Sequence, residues 1–196
     1  LGCGVVANNL LPKSKGHANA PGTLQINWGW GFGVMFGVYA AYKTGGHLNP
    51  AVTVGLAVAG KDLAPGIPAT ASNITIYILA QFAGAFVGAV LCWLAYKKHY
   101  DAEGEPGNIL GTFSTGPEIR SYGWNFVTEV IATFVLVYVI LVFGETPSEL
   151  GPLAVGVLVV AIGMSLGGPT GYAINPARDL GPRLAHALLP IPGKLS

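Results

Sequence analysis

Two stretches of this 196-residue chain set polar, helix-starting residues in otherwise apolar surroundings: TGGHLNPAVTVGL (Thr44 to Leu56) and TGYAINPARDLGPR (Thr170 to Arg183). Both carry Asn-Pro-Ala in the same register after a Thr-Gly, and Asn175 follows Asn49 by 126 residues. Asn is a favoured helix N-cap, and Pro is favoured at the first helical position, where its missing N–H costs nothing. Asn49 and Asn175 are therefore expected to cap helices opening with Pro50-Ala51 and Pro176-Ala177. A helix start carries roughly half a positive charge from the aligned peptide dipoles. Two such starts facing each other would repel cations and protons, while each Asn amide could donate to a neutral, hydroxyl-bearing solute.

The second stretch alone is charged. Arg178 lies three residues after Asn175, where a cation is costly unless it faces protein or water. Two roles are open: a structural Arg neutralised by Asp179, or a donor projecting into a passage. Successive helical residues diverge by about 100°, so Asp179 points elsewhere, and an acid near a helix start is favourable in itself. A third charged residue, Glu129, sits inside a long apolar run. It reads as a structural carboxylate accepting N–H bonds from a non-helical loop. The competing role, a proton relay, lacks a second acid or His at helical spacing on that face.

The elements that must position these residues belong to a membrane. Hydrophobic residues make up 52% of the chain and charged ones only 10%, and mean hydropathy is +0.55. Soluble domains carry about a quarter charged residues. Ile74 to Tyr96, Phe126 to Phe143, Leu153 to Leu166 (short, extended by its flanks) and Ile26 to Tyr42 read as spans. Gly84 and Gly88 form a GxxxG, which is either a face for close helix approach or chance spacing in a Gly-rich chain. Ala51 to Gly60 is about 15 Å long as a helix, half of a hydrocarbon core of about 30 Å. Pro176 to Leu189 is a second half-length piece, interrupted by Gly181 and Pro182. Short, broken apolar segments in corresponding halves mark inverted-repeat membrane proteins, with the site where they meet. The preceding segments, Thr44 to Leu48 and Thr170 to Ile174, would present carbonyls to a water-filled cavity, the setting in which irregular backbone is tolerated at membrane depth.

Leu1 to Leu11 reads as the tail of a span that begins earlier, and no partner follows the second half-helix before Ser196. The chain is thus expected to be one incomplete domain over 1–196, with a first repeat at about 1–100 and an inverted second at about 120–196. No signal peptide is visible at the start. Lys and His fall on both sides under any alternating threading, so charge does not set the orientation. A net charge of +1 gives no footprint for nucleic acid. Cys3 and Cys92 show no metal or redox spacing and read as packing residues. No nucleophile–base pair or cofactor loop is present, so no enzyme, metal or cofactor is expected, and His47 reads as a packed or passage-side residue.

With its boxes HLNPAVT and AINPARDLGPR, supported by AQFAGAFVGA and the mid-span Glu129, the whole chain resembles the aquaporin superfamily, the major intrinsic proteins. Asp179 after Arg178, and Gly163 where water-specific members tend to have His, make it most similar to the glycerol-conducting branch. The resemblance implies an all-α right-handed bundle of six spans and two re-entrant half-helices, in a multi-pass homotetramer with one pore per subunit. It places a selectivity filter on Trp30 (with Trp28 as the other tryptophan that could fill that position), Gly163, Tyr172 and Arg178. In that filter Gly163 would leave room for a carbon backbone, Trp30 and Tyr172 would form an apolar corner, and Arg178 would bind hydroxyls. Tyr172 stands where glycerol facilitators commonly have Phe. Backbone carbonyls of Gly45, Gly46, His47, Gly171, Tyr172 and Ala173 would line the path. The implied function is passive conduction of glycerol and small neutral solutes with some water, across a plasma membrane, the bacterial inner membrane above all. The alternatives are a water-selective aquaporin, against which Gly163 and Asp179 argue, and a proton-coupled transporter, for which only Glu129 is available.

Overall fold

The computed structural model describes residues 1–19, 22–143, 146 and 149–194; residues 195 and 196, the end of the expected second repeat, lie outside that set. The described residues form helices and connecting turns with no β-strand beyond the isolated bridge Ala64–Ile67. The helices are α1 (Gly2–Leu10), α2 (Thr23–Ala40), α3 (Pro50–Val58), α4 (Ala71–Ala95), α5 (Lys97–Ala102), α6 (Pro106–Phe113), α7 (Tyr122–Phe143), α8 (Pro152–Leu166) and α9 (Pro176–Leu188).

Two of them, α4 with 25 residues and α7 with 22, are long and apolar enough to cross a membrane. At 1.5 Å per residue they measure about 37 and 33 Å. Helix α4 starts at Ala71, ahead of the expected Ile74, because the Thr70 hydroxyl accepts the Asn73 N–H at 3.2 Å and caps it. Large apolar side chains such as Leu79, Leu91, Phe126 and Phe134 stand exposed along both helices. Water would not tolerate such a belt; hydrocarbon does.

Helix α2 packs along α8 and α4 along α9, while α7 contacts α8 and α3. The α2–α8 contact is backbone on backbone: a Cβ on Gly31 would lie 2.6 Å from the Gly156 carbonyl oxygen, and one on Gly156 would lie 2.8 Å from that of Gly31. Small residues let helices approach this closely where no hydrophobic force drives them together.

Of the two readings of the GxxxG, chance spacing is the one that fits within this chain: Gly84 and Gly88 face open space, with nothing within 4 Å of an added Cβ. The close approach on α4 is made instead by Gly181 of α9, whose added Cβ would lie 2.8 Å from Ala85. The second half-length segment is not interrupted, since α9 runs through Gly181 and Pro182 to Leu188. The amide Pro182 lacks would have served Arg178, in the helix's first turn, so the ladder loses one bond near its end. Between α4 and α7, where no apolar run marks an element, the chain is also helical, in α5 and α6. Helix α6 opens there with Pro106 at its first turn and packs on α1 and α9, burying Ile109 and Phe113 with Leu11, Tyr100 and Ala185. The Tyr100 hydroxyl meets Thr112 Oγ1 at 2.7 Å inside that cluster.

Candidate functional site

Helices α3 and α9 are half-length: nine and thirteen residues, about 13 and 20 Å at 1.5 Å per residue. Each begins at its Asn-Pro-Ala. Asn49 Oδ1 accepts the Ala51 N–H at 2.9 Å, and Asn175 Oδ1 accepts the Ala177 and Arg178 N–H groups at 3.0 and 3.1 Å. These side-chain oxygens satisfy amides that have no partner within the helix.

The residues just before the caps turn the backbone into the left-handed region, Leu48 with φ 54° and Ile174 with φ 42°. This conformation is unusual for bulky side chains, and it has a visible result: each reversed carbonyl points at the other loop. Asn49 Nδ2 donates to Ile174 O at 2.8 Å, and Asn175 Nδ2 donates to Leu48 O at 2.8 Å. The two half-helices thus meet start to start through a reciprocal pair of bonds. A carboxamide has two N–H donors, so each Asn keeps one with no protein acceptor among the described residues.

Glu129 of α7 organises the second loop. Its Oε1 accepts the Thr170 hydroxyl at 2.6 Å and the Ala173 N–H at 3.0 Å, and its Oε2 accepts the Ile174 N–H at 2.9 Å. The peptides are trans, and in a planar trans peptide the C=O points opposite to the N–H. With both N–H groups turned to the carboxylate, the carbonyls of Tyr172 and Ala173 point away from it. Gly171, at φ 80°, makes the preceding turn. A cleft of 440 Å³ beside Glu129 is lined by Ala51, Thr133, Pro176 and Leu180 among others, but by none of the four expected filter residues.

In the first loop Gly45 and Gly46 both have positive φ, 77° and 59°, and the His47 side chain is tied down. His47 Nε2 lies 2.7 Å from Leu63 O, and Nδ1 lies 3.0 Å from Thr53 Oγ1. A carbonyl only accepts, so Nε2 carries the proton and Nδ1 accepts from Thr53. That hydroxyl in turn accepts from Gln81 Nε2 at 2.9 Å. The imidazole is a packed strut against α4, where Tyr77 covers it with ring centroids 5.1 Å apart.

Arg178 and Asp179 diverge. Asp179 Oδ1 accepts from the Thr115 N–H at 2.9 Å, and its carboxylate pairs with Arg183 Nε and Nη2 at 3.0 and 2.9 Å. Arg183 Nη2 also reaches Thr115 O at 2.8 Å. Asp179 is therefore committed to Arg183 and the Thr115 loop, not to Arg178. The Arg178 guanidinium lies over the Trp30 ring, 4.0 Å from its centroid, and its Nη1 is buried without an acceptor. A buried guanidinium N–H without a partner is costly to leave unmade and ready for an incoming oxygen. Trp28, by contrast, is 40% exposed and packs against Phe32, so Trp30 is the tryptophan beside Arg178.

Gly163 departs from the expected arrangement. The space its missing side chain leaves is occupied: an added Cβ would lie 2.6 Å from Asn27 Oδ1 and 2.8 Å from Tyr172 Cζ. The Tyr172 hydroxyl donates to Asn27 Oδ1 at 2.7 Å. Asn27, buried on α2, escaped the sequence reading because its partner lies 145 residues away. The links of Thr115 to Asp179 and of Gln81 to Thr53, 64 and 28 residues apart, escaped for the same reason; the pairs Asp179–Arg183 and His47–Thr53 are local and were not read.

Comparison with known proteins identifies the family. The family model described as major intrinsic protein matches residues 1–190. The chain is 54% identical to glycerol uptake facilitator protein 3 of Lactiplantibacillus plantarum, over 99% of this chain and 78% of that protein. It is 51% identical to the glycerol uptake facilitator protein of Streptococcus pneumoniae, over 99% of this chain and 80% of that one. The X-ray structure of the aquaglyceroporin from Plasmodium falciparum superposes with a TM-score of 0.74 at 28% identity, covering 95% of this chain and 78% of that one.

Proposed function

The chain belongs to the major intrinsic protein family, and from that premise we propose that it is a passive channel for glycerol and similar small neutral polyols, with some water. It is an integral membrane protein of the aquaporin helical-bundle fold. The observation that carries the proposal is the pair of half-helix starts joined by Asn49 and Asn175. Two converging positive dipole ends disfavour cations and protons, while the spare amide N–H groups bind the oxygen of a neutral solute. In this reading the chain's role is conduction, in keeping with its family.

In this reading Trp30, Tyr172, Gly163 and Arg178 form the filter. Arg178 Nη1 supplies a donor to a passing hydroxyl, and the Trp30 face supports both the guanidinium and solute CH groups. The carbonyls of Gly45, Gly46, His47, Gly171, Tyr172 and Ala173 accept solute hydroxyls, with Glu129 and Asp179 holding the second loop and half-helix in place. The equivalence of the two Asn-Pro-Ala loops supports two inverted repeats, at about 1–100 and 120–196. The exposed apolar belts support burial in lipid and in a homotetramer in a plasma membrane, the bacterial inner membrane in this reading.

One observation favours a narrower, water-selective filter: Tyr172 and Asn27 fill the space at Gly163. Stopped-flow light scattering on proteoliposomes separates the readings. Glycerol entry far above that of protein-free vesicles is expected, and Gly163→Ala is expected to lower it more than it lowers water flow, because the new methyl displaces Tyr172. Water flow without glycerol entry would replace the glycerol reading with the water-selective one. Absence of both flows would sink the channel reading.

A further inference from the structure

Tyr172 is held on two sides by groups that leave its ring little choice of position. On one side are Gly163 of α8 and Gly167, the C-cap that follows it: an added Cβ would lie 2.8 Å from Tyr172 Cζ at Gly163 and 2.6 Å from Cδ1 at Gly167. These residues, four apart on one helix face, form a trough in which the ring lies. On the other side, at the ring's far end, Asn27 Oδ1 accepts the hydroxyl at 2.7 Å, and both residues are buried. Asn27 stands on α2 one turn before Trp30, the residue that covers Arg178. Helices α2 and α8 are themselves in backbone contact through Gly31 and Gly156. The bond from Tyr172 to Asn27 therefore ties the loop before α9 to the closely packed α2–α8 pair and fixes the phenol relative to Trp30 and Arg178.

We infer that Asn27 is a positioning residue for solute selection: its carboxamide oxygen sequesters the Tyr172 hydroxyl and seats the ring in the Gly163–Gly167 trough, which sets the bore beside Arg178. A buried phenol O–H without an acceptor is unfavourable. Deprived of Asn27, the hydroxyl turns toward the nearest solvated polar region, the Arg178 side, and narrows the passage that a carbon chain must cross. Gly163 then acts through Tyr172. It widens the filter by giving the ring somewhere to retreat, not by leaving a void. This rests on the filter assignment proposed above.

The test is a double-substitution cycle in proteoliposomes, with Asn27→Leu, Tyr172→Phe and the two combined. Glycerol and water permeabilities are measured on the same vesicles, normalised to incorporated protein, and reported as their ratio. Leu is close to Asn in shape but offers no acceptor. Asn27→Leu is expected to lower the glycerol-to-water ratio roughly three- to tenfold, the factor corresponding to one hydrogen bond. In the Tyr172→Phe background the same substitution should change the ratio less than about twofold, since the hydroxyl it served is gone. An unchanged ratio in Asn27→Leu overturns the inference, and so does an equal fall in both backgrounds, which would mean that Asn27 only packs. Should Asn27→Leu fail to reconstitute, Asn27→Ala and Asn27→Thr enter the same cycle. If the parent protein carries water but no glycerol, the glycerol reading has failed; if it carries glycerol and the cycle shows no coupling, only the role of Asn27 has failed.

Discussion

Glu129 shows how much one side chain can organise. Three donors converge on its two oxygens, two of them backbone N–H groups of a loop that no helix or sheet supports. Glu129→Gln would replace one acceptor oxygen by an NH₂ that faces those donors. A hydrogen bond to a charged group contributes about 1.5–3 kcal/mol, so the substitution should lower the thermal aggregation midpoint in detergent clearly below the parent's. An unchanged midpoint together with a lost pH dependence of flux would instead favour a proton relay. The structural role could be read from sequence because an acid stranded in an apolar run needs donors, and an extended loop has them to give. Asn27 gave no such signal. An Asn within a Gly- and Trp-rich span looks like many others, and its role depends on a tyrosine that only the fold brings near.

At the level of helices, the long spans and the half-helices were legible because their signals are local: runs of apolar residues, and Asn-Pro at α3 and α9; the Thr70 cap, which starts α4 ahead of Ile74, was not used. Packing partners were not. The Gly84–Gly88 spacing says that α4 has a smooth face but not what covers it, and within the described residues nothing does. Gly31 and Gly156 carry the contact between α2 and α8, yet each is one glycine among 29. Gly31→Val forces a side chain into the Gly156 carbonyl. Overpacking of this kind costs about 1–3 kcal/mol or more, so folded, monodisperse protein after detergent extraction should fall sharply. Gly84→Val, on the open face, should behave like the parent. Equal recovery of both variants would mean that the α2–α8 contact does not govern stability. Helix α6 was missed because its eight residues are few and polar-flanked, and its partners, α1 and α9, are remote in sequence.

Over the whole molecule, selectivity is a property of two halves acting together. In the proposed reading, two half-helix starts facing each other oppose cations more than either alone, because their partial positive charges add. Asn175→Asp keeps a capping oxygen but places a carboxylate between the two positive ends and loses the bond to Leu48 O. Vesicles carrying that variant should dissipate a pH gradient faster than vesicles carrying the parent, read with an entrapped pH-sensitive dye. An identical rate would show that the barrier to protons lies elsewhere, Arg178 being the next candidate through Arg178→Val.

The crossed bonds between the loops also bear on how such a chain is made. Leu48 takes its left-handed conformation with its carbonyl received by Asn175, 127 residues later, and Ile174 depends likewise on Asn49. A ribosome delivering about 5–20 residues per second leaves the first loop waiting roughly 6–25 s for its counterpart. During that interval the nascent first half holds half of a latch, with an unmated amide and carbonyl at its apex. When the second loop arrives, both bonds form together, and the two half-helix starts are joined in one event.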